Sequence, residues 1–376
     1  MDFELPIPDD PRRVEVRAWL AAHPDPSPDE LAGAGYVAPH WPAPWGLDAD
    51  PELQLVIAEE LAAANVTGVD NPIGIGWAGP TLVHAGTTAQ KERFLGPLLR
   101  GEEFWCQLFS EPEAGSDLSS LTTRAVRDGD DWVVTGQKVW STWADRSEYG
   151  ILLARTDPDA PKHHGISYFI CPMRQPGIDI RPIREMSGHH HFNEVFLDEV
   201  RVPADHLVGA PGDGWRLARV TLGNERVSLS TGGVCWGQGP TTADFFDAVR
   251  ATGGLRDPLL RQRAAAMYTE AVLLQLHGHR ILTQTLAGAE PGPEASLKKL
   301  LADEHGQRIT DLAADLTGAA GMLAGDDRPG RFGGGEHEAW PWAQLFSRAL
   351  TIGGGTTQVQ RNILAERVLG LPRELA

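Results

Sequence analysis

Apolar positions recur along this chain with two different periods, and the change of period divides it into three zones. Over residues 51–64, Leu53, Val56, Ile57 and Leu61 follow helical spacing. Residues 88–99 repeat the pattern, with Phe94, Leu95 and Leu98 on the side expected to be buried and Gly101 as the stop signal. From Phe104 to about Val208 the texture changes. Segments 132–135, 150–154, 167–171 and 194–197 are rich in β-branched and aromatic residues, as short strands are. Asp128-Gly129, Gly136 and Pro176-Gly177 read as turns between them. From Gly214 the helical period returns over 215–229, 258–286, 297–316 and 358–369. Residues 326–338 read as a loop, and Gly353-Gly354-Gly355 breaks the chain before the last helix. The expected fold is α+β: an N-terminal α-helical domain (1–104), a central β-barrel or sandwich domain (105–210) and a C-terminal helical bundle (211–376).

Composition narrows the function. With 376 residues, 41% of them apolar, the chain is long enough for more than one packed core. No apolar run approaches the roughly 20 residues of a membrane span. Residues 1–10 are acidic and proline-rich, which is not the pattern of a secretory signal. The net charge of -18 argues against nucleic acid as a partner, because phosphate binding needs cationic surface. Cys106, Cys171 and Cys235 are odd in number and widely spaced, so neither a disulfide framework nor a zinc site is expected; a reducing, cytoplasmic compartment is. His189-His190-His191 is not expected to bind metal, since successive residues on a strand point to opposite faces. Trp41, Trp45 and Trp77 read as core, with Trp77 the best placed of them to line a ligand pocket.

Two segments carry candidate chemistry. Ser110-Glu111-Pro112-Glu113-Ala114-Gly115-Ser116-Asp117 follows a strand-like run, and its N–H groups and hydroxyls suit a polar ring edge or a phosphate. By the residues alone a plain capped loop explains it as well. In Gly136-Gln137-Lys138-Val139-Trp140-Ser141-Thr142, Trp140 and Thr142 lie two apart, which on a strand places them on one face. They suit a flat ligand, but by the residues alone a core tryptophan beside a satisfied threonine is the favoured reading.

Together these segments resemble the acyl-CoA dehydrogenase family. The resemblance also takes in Gly86-Thr87, Gln90-Lys91, Phe94-Leu95, Val200-Arg201-Val202-Pro203 and the run from Gly355 to Asn362, and covers nearly the whole chain. It implies FAD as cofactor, an acyl-CoA substrate, and an electron acceptor such as an electron-transfer flavoprotein. It assigns Ser110 and the Phe109 backbone to the pyrimidine edge of the flavin, Trp140 to the ring face and Thr142 to the neighbourhood of N5. Gly115 is counted among the cofactor-binding residues, and Ser116 matches a position close to cofactor phosphate. Thr356 and Gln358 open the last helix, where a polar or anionic ligand would be favoured.

The commonest position for the family's catalytic base, just before the Gly-Thr of that helix, is Gly354 in this chain. The second position known in the family matches Glu225. Ala218, Leu222, Glu225 and Leu229 fall on one helical stripe, where desolvation should raise a carboxyl pKa toward that of a general base. A salt bridge with Arg219 is the structural alternative, and Arg226 is given a supporting role. Gly354 keeps a backbone N–H able to polarise a thioester carbonyl. Gly353 and Gly354 stand where many relatives carry bulkier residues, which favours a branched or ring-bearing acyl group.

The family's Arg-x-x-x-Phe-Gly segment is missing from residues 240–262, and Asp315 stands where an uncharged amide donor is expected. Arg256, Arg261 and Arg263 are candidate substitutes. A homo- or hetero-oligomer follows, with an α2β2 assembly beside a sister chain as the favoured form. The competing readings are a flavin monooxygenase or oxidase on the same fold, and a non-catalytic partner subunit.

Overall fold

The computed structural model describes residues 10–231, 234–236, 239–286, 292–293, 295–318 and 339–373. The 326–338 segment, and 1–10 apart from Asp10, lie outside the described residues. Two compact units divide the rest. One comprises 10–185 and 189–224; the other comprises 186–188 and the described residues from 225 onward.

The first unit opens with helices α1 (Arg12–Ala22), α2 (Pro28–Gly33), α3 (Pro51–Ala63), α4 (Gly79–Ala85) and α5 (Thr88–Leu99). Charge hides α1 from a hydrophobic scan: its Arg13 is buried against Glu60 of α3, at 2.7 Å. Helix α5 begins with a capping box in which the Thr87 hydroxyl accepts from the Gln90 N–H and the Gln90 side chain accepts from the Thr87 N–H. The same Gln90 amide donates to the carbonyls of Asp205 and Leu207, so one motif both starts the helix and ties it to the β region.

The strands are β1 (Trp105–Leu108), β2 (Arg124–Asp128), β3 (Asp131–Thr142), β4 (Tyr149–Arg155), β5 (Ile166–Pro172), β6 (Ile178–Ile183), β7 (Phe192–Pro203) and β8 (Leu207–Val208). They form one mixed sheet in the order β6-β7-β3-β2-β4-β5-β8, with β1 parallel to β4 off that path. A single register pair, Arg124 with Arg155, joins β2 to β4. The sheet folds over at this seam. Leu152, Ala154, Phe169 and Cys171 of β4 and β5 share one apolar cluster with Val195, Leu197, Val200 and Val202 of β7. The alternate residues Ile151, Leu153, Tyr168 and Ile170 face the other way, into a cluster with Leu82, Phe94, Leu95 and Leu98 of the helices. β4 and β5 are thus buried on both faces, which is why their sequence is nearly continuously apolar.

Two expectations need correction here. Gly136 is not a turn. It lies inside β3 at a register shift, where a Cβ would strike the Thr123 backbone at 2.7 Å. The three histidines are not on a strand but in the loop between β6 and β7, because Gly188 (φ 86°) turns the chain and β7 begins only at Phe192. His191 is paired with Glu185 at 2.8 Å, and among the described residues no three His, Cys, Asp or Glu side chains are grouped to hold a metal ion.

The second unit is helical: the end of α6 (Gly214–Thr231), then α7 (Thr242–Ala251), α8 (Pro258–Leu286), α9 (Ala295–Thr317), α10 (Ala339–Phe346) and α11 (Thr357–Ile363). Phe245, Val249, Ile309, Leu312, Trp340, Ala343 and Phe346 are buried in it. Glu270 of α8 bridges to α9 through His305 at 2.9 Å and Arg308 at 3.2 Å. No helix among the described residues is long and apolar enough to cross a membrane.

Candidate active site and family

The Ser110 to Asp117 segment is a loop closed at its neck. Glu111 and Ala114 exchange backbone hydrogen bonds at 3.1 Å in both directions. The Glu111 carboxylate is buried and accepts from the Thr122 N–H and hydroxyl (2.6 and 2.8 Å), from the Thr123 N–H (2.9 Å) and from Lys138 Nζ (2.9 Å). Burial pushes this carboxyl upward, but the Lys138 charge and the hydrogen bonds outweigh it and hold the group at about 2. Lys138 is fully buried; desolvation lowers it to about 8 against the pull of Glu111. Its ammonium also donates to the Phe109 carbonyl at 3.1 Å.

Immediately after Lys138, β3 bulges. The Val139 N–H donates to the Ser110 carbonyl at 3.0 Å, and Trp140 takes a left-handed backbone (φ 60°). Few non-glycine residues adopt that conformation without a local reason. Its effect is to present the indole outward: Trp140 is 59% exposed, edge-on to Phe192 with ring centroids 5.9 Å apart. Ser141 turns into the core, and Thr142 stands half-buried beyond it. At the loop tip Gly115 has open space where a Cβ would stand, and Ser116 is exposed.

These residues fit a flavin. An exposed indole lies beside a hydroxyl-bearing strand residue, and the segment carrying Ser110 is bonded directly to the bulge. The candidate residues were legible in the motifs. The buried Glu111–Lys138 pair that shapes them was not, because glutamate and lysine ordinarily read as solvated; their presence inside two otherwise informative motifs was the only signal.

In the other unit Glu225 is buried on α6. Of its expected stripe, Ala218 is buried and Leu222 half-buried, whereas the side chain of Leu229, like that of Arg226 off the stripe, lies outside those described. Arg219 is exposed. Gly354 and Gly355 both have left-handed backbones (φ 65° and 89°), which glycine adopts without strain. The loop holding them is fastened from several sides. Gln360 donates to the carbonyls of Gly354 and Gly355 at 3.1 and 3.2 Å, and Lys299 to that of Leu350 at 3.2 Å. Gln307 reaches Ser347 O and Thr351 Oγ1, both at 3.1 Å. A Cβ at Gly353 would lie 2.6 Å from the Trp236 ring. Thr356 is the N-cap of α11, its hydroxyl accepting from the Val359 N–H at 3.2 Å, and Gln358 is exposed in the first turn. Asp315 is ion-paired with Arg263 at 2.6 Å, so one of the arginines named as substitutes neutralises the carboxylate. Residues 319–321, also compared with the family, lie outside the described residues.

Comparison with known proteins identifies the family. The chain matches the N-terminal domain of acyl-CoA dehydrogenases over residues 11–102, the middle domain over 106–200 and the C-terminal domain over 212–369. It is 44% identical to acyl-CoA dehydrogenase FadE34 of Mycobacterium tuberculosis over 91% of this chain and 46% of that protein, and so spans about half its length. It is 40% identical to acyl-CoA dehydrogenase IpdE1 of the same organism over 96% of this chain and 89% of that one. Among solved structures, the Tcur3481-Tcur3483 steroid ACAD superposes with a TM-score of 0.79 at 28% identity, covering 96% of this chain and 97% of that one. The ChsE4-ChsE5 complex from Mycobacterium tuberculosis superposes at 0.77 and 28%, covering 98% and 100%. Three domain matches in order, together with relatives at this identity, show that the chain belongs to the acyl-CoA dehydrogenase family of FAD-dependent oxidoreductases.

Proposed function

We propose that this chain carries out α,β-dehydrogenation of an acyl-CoA thioester, with Glu225 as the base that takes the α-proton. The observation that carries the assignment is a carboxylate buried on a helix whose neighbouring turns supply Ala218 and Leu222, in a chain whose other family base position is Gly354. Desolvation favours a carboxylate that takes up a proton readily. The Gly354 N–H polarises the thioester carbonyl, stabilising charge as the proton leaves. Ser110, the Phe109 backbone, Trp140 and Thr142 hold the flavin ring, Gly115 and Ser116 serve its phosphate side, and Thr356 and Gln358 add polar contacts from α11. When bound, FAD supplies the acceptor for hydride leaving the β-carbon. The test is Glu225→Gln: FAD should be retained while substrate-driven flavin reduction falls ~10²–10⁴-fold. Reduction at the parent rate would remove Glu225 from the role.

The acyl group in this reading is branched or ring-bearing. Gly354 stands where a bulkier residue would take up space, whereas the space beside Gly353 is filled by the Trp236 indole, and a similar structure is described as a steroid ACAD. A panel of CoA thioesters tests it; best turnover with butanoyl-CoA would refute it. Assembly beside a sister chain fits the missing arginine-phenylalanine-glycine segment and the two-protein ChsE4-ChsE5 complex. One tightly held FAD per chain in a homo-oligomer active on acyl-CoA would refute that part alone. Reoxidation by an electron-transfer flavoprotein and a reducing cytoplasmic setting complete the reading; the latter fits three buried free thiols.

A further inference from the structure

We infer that Lys138 and Glu111 act as one buried clamp that sets the Ser110 loop at a fixed distance from the Trp140 ring, making both of them positioning residues for the flavin. The inference rests on the reading that Ser110, Trp140 and Thr142 face the cofactor. Its geometry is a closed circuit. The loop leaves β1 at Phe109, whose carbonyl accepts from Lys138, and it returns at Thr122 and Thr123, whose N–H groups donate to Glu111. Glu111 in turn is bound by Lys138. Both ends of the loop are therefore fastened to a single strand position. The next residue, Val139, binds Ser110 O, and the one after is Trp140 at the bulge.

Stability alone is a poor reason for this arrangement. Burying two charges is costly, and an apolar pair of similar volume often serves a core as well. What an apolar pair does not provide is direction. Lys138 donates to two defined acceptors, and Glu111 accepts from three backbone or hydroxyl donors on the far side of the loop. Outside the clamp the loop is braced further. Arg155 donates to the carbonyls of Leu121 and Ser119 at 3.2 and 2.9 Å, and Lys162 pairs with Asp117 at 2.5 Å. Those braces hold the stretch from Asp117 to Leu121. Glu111 and Lys138 couple the loop to the bulge that turns Trp140 outward, beside the direct hydrogen bond from the Val139 N–H to the Ser110 carbonyl.

The experiment titrates FAD into apoprotein, following quenching of flavin fluorescence, and records the visible-region circular dichroism of the bound flavin. The variants are Lys138→Met, Glu111→Gln and the double Glu111→Leu/Lys138→Met, with Trp140→Ala/Thr142→Ala as control. Each single variant should weaken FAD about tenfold or more, and the double should be no weaker than the worse single, as residues acting as one unit behave. The flavin dichroism should change shape in all three. If a single variant does not fold, the double, which leaves no lone buried charge, carries the measurement. Parent affinity and parent dichroism in folded variants would overturn the clamp and leave a structural pair. If the Trp140/Thr142 control also binds FAD as tightly as the parent, the placement of the flavin fails and takes the clamp with it. A weakened control beside unchanged clamp variants sinks the clamp alone.

Discussion

Among the described residues two buried lysine–carboxylate pairs fasten loops, one beside Ser110–Asp117 and one beside Leu350, and they behave in opposite ways. In the β region, Glu111 is surrounded by donors from Thr122, Thr123 and Lys138, and its carboxyl is held at about 2. In the helical region, Asp303 pairs with Lys299, whose ammonium is shared with the Leu350 carbonyl. There burial outweighs the lysine, and the carboxyl rises to about 6. The lesson is that an ion pair alone does not fix the state of a buried acid: at Glu111 the lysine charge and the hydrogen bonds together outweigh burial, and at Asp303 burial prevails. Glu111 is a permanent charge and Asp303 a titrating one.

The largest effect should come from Glu111→Ala. It leaves the buried Lys138 ammonium without its counter-ion, to be held as a lone charge or neutralised at a cost, and loss of one partner of such a pair costs about 3–5 kcal/mol. Denaturant unfolding measures it; a loss below about 1 kcal/mol would place the pair in the category of weak surface bridges.

The contrast sharpens with pH. Glu111, depressed below its ordinary 4.5, contributes stability above that value and loses it as pH falls toward 2. Asp303 has the opposite sign. Its folded-state pKa is raised above 3.8, so the folded protein binds the extra proton, and this contribution is lost as pH rises from about 4 through about 6. Asp303→Asn should therefore flatten the slope of stability between pH 4 and 6, a change of about 1–3 kcal/mol across that window given ~1.4 kcal/mol per pKa unit. Lys299→Met should likewise cost less at pH 5 than at pH 8, because Asp303 then escapes its lone charge by taking a proton. Urea melts across the range decide both, and a parallel pH profile in the variants would erase the distinction.

The smallest effect belongs to a third pair. Arg263 and Asp315 are both about half exposed, and Arg263→Ala should change stability by less than about 1 kcal/mol. A larger loss would mean that the pair is covered by a partner chain.

How much of this was legible beforehand follows the same division. The strands that bury a face announced themselves, since β4 and β5 have apolar residues toward both clusters. α8 and α9 were equally visible from their period. β2, with one buried residue among Arg124–Asp128, and β6, with none fully buried, carried no such signal. α7 was hidden by its short amphipathic run, which begins with the polar capping box of Thr241 and Asp244. Within the candidate site, Ser110, Trp140, Thr142 and Glu225 were named from motif and helical stripe, and the structure shows Trp140 exposed and Glu225 buried. The bulge at Trp140 was not legible, because it depends on pairing with β7, which lies 50 residues on.

Trp236 and Gly353 form a lock with a required order of opening. The indole, itself held in a left-handed backbone (φ 54°), occupies the space a side chain at 353 would need. A lineage drifting toward a bulkier residue at 353 would meet a steric barrier unless position 236 had shrunk first. The reverse order is open, since a smaller residue at 236 leaves Gly353 undisturbed. The two positions therefore evolve as a ratchet: history at 236 decides what 353 is allowed to become.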